Sequence, residues 1–117
     1  MISLNRVIIA GSLTKTPLLH ETASGKKFTS FTISAKDSWH TRDDVVVRSN
    51  LIPVVCWGKL AENVCKYLDQ GKCIMAEGHL ESDTFEKDGK KQIFVKVTAC
   101  SVVFLERTGG SSKVIEE

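Results

Sequence analysis

Hydrophobic residues recur at every second position over most of this chain, with one stretch at helical spacing. The run from Leu4 to Leu13 is rich in β-branched residues and ends at Thr14-Lys15-Thr16-Pro17, which reads as a turn. Ala23-Ser24-Gly25-Lys26 is a second turn signal. After it, Phe28 to Ala35 alternates, with Phe31, Ile33 and Ala35 on one face and Ser30, Thr32 and Ser34 on the other. Lys36 to Asn50 is polar and predicts a long loop with partial strand character. Leu51 to Trp57 is apolar throughout, as in a strand covered on both faces, although Pro53 cannot donate to a ladder and implies an edge or a bulge. From Lys59 to Leu68, the residues Leu60, Ala61, Val64, Cys65 and Leu68 fall at helical spacing, and Gly71 follows where a helix-ending glycine belongs. Lys72 to Leu80 is a fourth strand with Ile74, Ala76, Gly78 and Leu80 on one face. Glu81 to Lys91 is a charged tip turning at Asp88-Gly89, and Gln92 to Leu105 is a fifth strand.

This order, three strands, a helix and two strands, is that of an all-β OB-fold: a five-stranded barrel with one helix between strands three and four, here with a long hairpin arm. With 117 residues there is room for one core, so residues 1–105 are taken as one domain. Residues 106–117 hold glycine, serine and charge without an apolar period and read as a flexible tail.

Composition narrows the function. Apolar residues make up 42% and charged residues 26%, which fits a globular domain. Sixteen Lys and Arg against fourteen Asp and Glu leave a net charge of +2, too little for phosphate binding by bulk charge. Any nucleic-acid site must therefore rest on local geometry. No run of some 18 apolar residues occurs, and Met-Ile-Ser-Leu-Asn-Arg is no leader, so a cytoplasmic protein without a membrane partner is expected. Cys56, Cys65, Cys73 and Cys100 form no C-x-x-C pair, and His20, His40 and His79 make no metal-type cluster with them. Cys56, Cys65 and Cys100 read as small buried thiols and Cys73 as more exposed. No metal and no cofactor is expected.

No nucleophile elbow, Walker loop, H-E-x-x-H or G-x-G-x-x-G occurs, and the carboxylates fall in loops, turns and helix surface, so no enzyme is expected. Asp43-Asp44 and Glu116-Glu117 read as solvated charge. His79 alternates away from its apolar neighbours and reads as a surface or interface residue. A binding module for single strands needs stacking platforms and a cationic track. Trp39 stands among Lys36, His40 and Arg42, where a large aromatic has no core to fill. Trp57 reads either as core or as a platform beside Lys59, and Phe85 lies in a polar arm where burial is hard to arrange.

In these residues the chain resembles the bacterial single-stranded DNA-binding proteins, from about Leu4 to Leu105. The resemblance includes Leu4-Asn5-Arg6-Val7-Ile8-Ile9-Ala10-Gly11-Ser12-Leu13, Pro17, Ser24-Gly25 and Ser38-Trp39. Its most specific part is Val54-Val55-Cys56-Trp57-Gly58-Lys59-Leu60-Ala61-Glu62, followed by Tyr67-Leu68, Gly71 and Glu77-Gly78-His79-Leu80. It implies an OB-fold protein, usually a homotetramer, that wraps single-stranded DNA with little sequence preference in replication, recombination and repair, in the cytoplasm at the nucleoid. By matched position Trp39, Trp57 and Phe85 would stack on bases, and Lys59 would contact phosphate. Lys36, Arg42, Lys87, Lys90 and Lys91 extend the cationic track, and Leu51, Ile52, Met75 and His79 are the candidate oligomer interface.

Two departures stand out. Leu51-Ile52-Pro53 replaces the Trp-His-Arg common in the family, removing a platform, an interface residue and a cation. Glu81-Ser82-Asp83-Thr84 puts acid where the family has base, with Lys87, Lys90 and Lys91 as partial compensation. The family's acidic Pro-Phe tip, which recruits replication and repair enzymes, has no counterpart up to Glu117. These departures carry the alternative reading, an OB-fold protein-interaction or primosomal accessory module with weak DNA binding.

Overall fold

A computed structural model describes residues 1–105 and 113–116. The strands are β1 (Val7–Leu13), β2 (His20–Glu21), β3 (Lys27–His40), β4 (Val45–Trp57), β5 (Cys73–Lys87), β6 (Lys90–Leu105) and β7 (Lys113–Glu116), with helix α1 (Gly58–Tyr67) between β4 and β5. Strand neighbours run β1, β5, β6, β4, β3, and two residue pairs, Ser12 with Ser34 and Leu13 with Ile33, join β3 back to β1. The five long strands thus form a closed OB-fold barrel with one helix.

Alternation decides what fills the barrel. Leu13, Phe31, Ile33, Val54, Cys56, Ile74, Ala76, Val97, Ala99 and Val102 point inward and are buried. Leu60, Ala61 and Val64 of α1, with Leu68 after it, close over this core. Each large side chain so buried contributes roughly 1.5–3 kcal/mol. The passage from β4 into α1 is abrupt: Trp57 is extended, and Gly58 takes φ +65°, a region that disfavours a Cβ. Pro53 fits because β4 meets β6 only at Val54 and Val55, leaving Pro53 just outside that contact.

Several expectations are corrected. Lys36 to Asn50 is no loop: β3 and β4 continue in register from Lys36 opposite Ser49 to His40 opposite Val45. They turn through Thr41–Asp44, where the Thr41 N–H donates to the Asp44 carbonyl (2.8 Å) and the Val45 N–H donates to Asp44 Oδ1 (2.8 Å). A ladder with solvent on both faces leaves no hydrophobic alternation to read. β4 is not covered on both faces, because Leu51 and Trp57 are exposed. Leu80 keeps the parity of Ile74 and Ala76 but is exposed, since β5 has left the barrel by that point. Cys100 is exposed rather than buried: β6 carries an extra residue opposite Glu77 and Gly78, and this bulge re-aims it. Gly71 does not end the helix, whose cap is Leu68; it sits at φ +86° in the Asp69–Lys72 turn. Of the tail, Lys113–Glu116 pairs with Ser101–Phe104 of β6, and residues 106–112 and 117 lie outside the described residues.

Candidate nucleic-acid interface

On the outward side of β3 and β4 a row of rings has formed. Phe28 lies directly across from Trp57 with ring centres 5.1 Å apart, and His20 of β2 lies 5.4 Å from Phe28. These separations suit tilted aromatic contact. Trp57 remains 38% exposed, so its indole is braced on one side and open on the other. The helix begins at once, and Lys59, two residues after Trp57 in its first turn, is exposed. The neighbouring Lys27 donates to Glu62 of α1 at 2.9 Å. That hydrogen bond and the accompanying charge hold the Glu62 carboxyl below its ordinary value and raise Lys27. Lys27 is thereby engaged, while Lys59 has no ion pair among the described residues.

The other two aromatics stand on the arms. Trp39 lies opposite Val46 near the end of the β3–β4 hairpin and is 45% exposed. Its parity is that of Ile33 and Ala35, so it faces the opposite side of the ladder from Trp57. Lys36 and His40 take the Trp57 side, and Arg42 occupies the turn. Phe85 lies opposite Gln92 on the β5–β6 arm and is 44% exposed. Asp88 and Gly89 close this arm at φ +53° and +75°, the signature of a two-residue turn that matches strand twist. Lys87 and Lys90 flank the turn, and Lys91 faces Glu86. The structure therefore places one aromatic on the barrel and one on each arm; Lys87 and Lys90 share the face of Phe85, whereas Lys36 lies on the opposite face of the ladder from Trp39.

The acidic stretch at the base of the β5–β6 arm is partly neutralised. Lys96 donates to Asp83 at 2.9 Å across the strands, and His79 and Glu81 share a 3.0 Å hydrogen bond. Of the candidate interface residues, Leu51 is exposed, outward and across from Ser34, and His79 is exposed beside Glu81. Met75 is half-buried between Ala10 of β1 and Val103 of β6. Ile52 instead sits across from the buried Ile33 and packs against the core.

Sequence reasoning missed Phe28, His20 and Phe94. Phe28 shares parity with Ser30 and Thr32, a signal that it faces outward. His20 and Phe94 left no such trace, because their neighbours come from other strands. Phe94 and Pro53 border a cleft of about 370 Å³, floored by Ser30 and Thr32 and walled by Lys15 and Leu18 of the β1–β2 connection.

Comparison with known proteins places this geometry. The profile described as the single-strand binding protein family matches residues 4–105. The single-stranded DNA-binding protein of Bacillus cereus is 37% identical over 112 residues, which cover 94% of this chain and 65% of that protein. That of Clostridium tetani is 38% identical over 105 residues, covering 88% of this chain and 71% of that protein. The chain thus spans about two thirds of the length of the curated relatives it matches. Among solved structures, the Plasmodium falciparum SSB in complex with ssDNA superposes with a TM-score of 0.82, covering 91% of this chain and 98% of that one at 17% identity. The fold is the same, and with the profile matched from Leu4 to Leu105 the chain belongs to the single-strand binding protein family.

Proposed function

We propose that the chain binds and protects single-stranded DNA with little sequence preference, as a non-catalytic protein of the cytoplasm serving replication, recombination and repair. The observation that carries this reading is the part-exposed Trp57, braced by Phe28 and followed two residues on by the exposed Lys59. A part-exposed indole with a cation close in sequence suits a base and its phosphate. Trp39 and Phe85 add platforms on the arms, with Lys36 and Arg42 on the same arm as the first and Lys87, Lys90 and Lys91 on the same arm as the second. Stacking is worth roughly 1–3 kcal/mol per base and tolerates any base, because every base has a π-face. Among the described residues no helix is long and apolar enough to cross a membrane.

Assembly into a homo-oligomer, a tetramer by family habit, would use Leu51, Met75 and His79, with the exposed part of Ile52. An interaction module with weak DNA binding is favoured by one observation, the outward Leu51 where a platform is common in the family. Titration with dT oligonucleotides of increasing length, followed by tryptophan fluorescence with a duplex control, separates the two. Quenching by single strands alone is the expected result. Absence of quenching at low salt would overturn the DNA-binding reading, and sedimentation of the same oligomer without DNA affinity would favour the interaction module.

A further inference from the structure

The cleft beside the ring row has a built character that the proposed stacking does not use. Its loop wall is pinned at three points. The Thr14 N–H donates to the Thr32 carbonyl (3.1 Å), the buried Thr29 hydroxyl to the Leu18 carbonyl (2.8 Å), and the Gln70 N–H to Thr16 Oγ1 (3.1 Å). A loop fastened to β3 and to the Asp69–Lys72 turn keeps its shape before any ligand arrives, which lowers the ordering cost of binding. The floor differs. Ser30 and Thr32 turn outward, and neither side-chain hydroxyl has a hydrogen bond among those of the described residues. Phe94 and Pro53 give apolar surface at the rim, and Lys15 gives a cation.

Apolar flank, free hydroxyls and one cation match the three parts of a single nucleotide: the face of a base, its edge, and its phosphate. A volume of about 370 Å³ is ample for one such unit and too small for a folded partner. The cleft also opens on the face that carries Phe28 and Trp57, since Ser30, Thr32 and Pro53 share their parity. Resting on the proposed single-strand binding, we infer that this cleft is a one-nucleotide subsite: Phe94 contacts the base, Ser30 and Thr32 hydrogen-bond its edge, and Lys15 meets the phosphate. Hydroxyls can serve as donor or acceptor. The subsite therefore takes the edge of a purine or a pyrimidine, which suits a strand bound with little sequence preference.

The test uses the whole chain. Amide NMR shifts are followed on adding dTMP or dAMP, each too short to span the separate platforms, beside dT-oligonucleotide affinity for the protein and for Phe94→Ala and Phe94→Leu. The expected result is saturable shifts that converge on Lys15, Ser30 and Thr32 with either nucleotide and vanish in both variants. Oligonucleotide affinity should then fall about fivefold. Phe94→Leu keeps the apolar bulk, so its behaviour separates lost stacking from a collapsed cleft. If oligonucleotides bind normally while mononucleotide shifts bypass the cleft or survive in both variants, the subsite is overturned and the proposed function stands. If dT oligonucleotides do not bind the unmodified protein, both fall together.

Discussion

The barrel and its arms are made from the same strands, yet different forces hold them. From Thr29 to Ala35, β3 alternates between buried or half-buried inward residues and more open outward ones; from Lys36 to His40 every residue is exposed. β5 changes in the same way, with no residue from His79 to Lys87 buried. Inside the barrel a strand is held by apolar area removed from water. In the arms only ladder hydrogen bonds and cross-strand pairs remain, such as Lys96 with Asp83. The difference teaches where binding residues can sit: Trp39 and Phe85, the proposed platforms, are exposed because the core does not need them.

Substitution should break this contrast cleanly. Leu60→Ala, at a fully buried position of α1, is expected to destabilise by about 2–5 kcal/mol, read as a lower urea midpoint, with DNA affinity intact in the fraction still folded. Trp39→Ala should do the reverse. Its unfolding midpoint should change by less than about 0.5 kcal/mol, while oligonucleotide affinity falls by about 1–3 kcal/mol. Equal effects on both measurements would erase the distinction between barrel and arm. Replacing Lys87, Lys90 and Lys91 together with Gln should lower the salt dependence of single-strand binding by about two units of log–log slope, with stability untouched. The smallest effect belongs to the pair that ties β3 to α1. Lys27 holds the Glu62 carboxyl below its ordinary value in the folded chain, so the pair's contribution is present above pH 4.5 and lost as pH falls through the lowered value. Urea melts of Glu62→Gln should differ from the parent at pH 7 and coincide with it in the acid range.

The same contrast explains how much could be read from the sequence. The barrel strands and helix were legible because Phe31, Ile33, Val54, Cys56, Ile74, Leu60 and Val64 repeat at the spacing their burial demands. The β5–β6 turn was legible because Asp-Gly has few other uses. The β3–β4 arm was not, since its residues face water on both sides and carry no period. Cys100 was misplaced because a single extra residue in β6 inverts the parity of everything read past it. The individual candidates Trp39, Trp57 and Phe85 could be named, but the row of His20, Phe28 and Trp57 joins three strands, and the cleft beside it gathers residues from five segments. Such sites exist only once the ring of strands has closed.

That closure has a history as well as a geometry. β1 finds almost all of its partners in β5, with Val7 opposite Gly78, 71 positions later, and only Ser12 and Leu13 meet β3. At a synthesis rate of roughly 5–20 residues per second, the first strand must wait several seconds for the fifth to be made. Throughout that interval Val7, Ile9 and Leu13 lie uncovered in a β-prone segment. The nascent chain is therefore most open to faulty pairing early, and the protein it becomes depends on what shields its first strand until the fifth arrives.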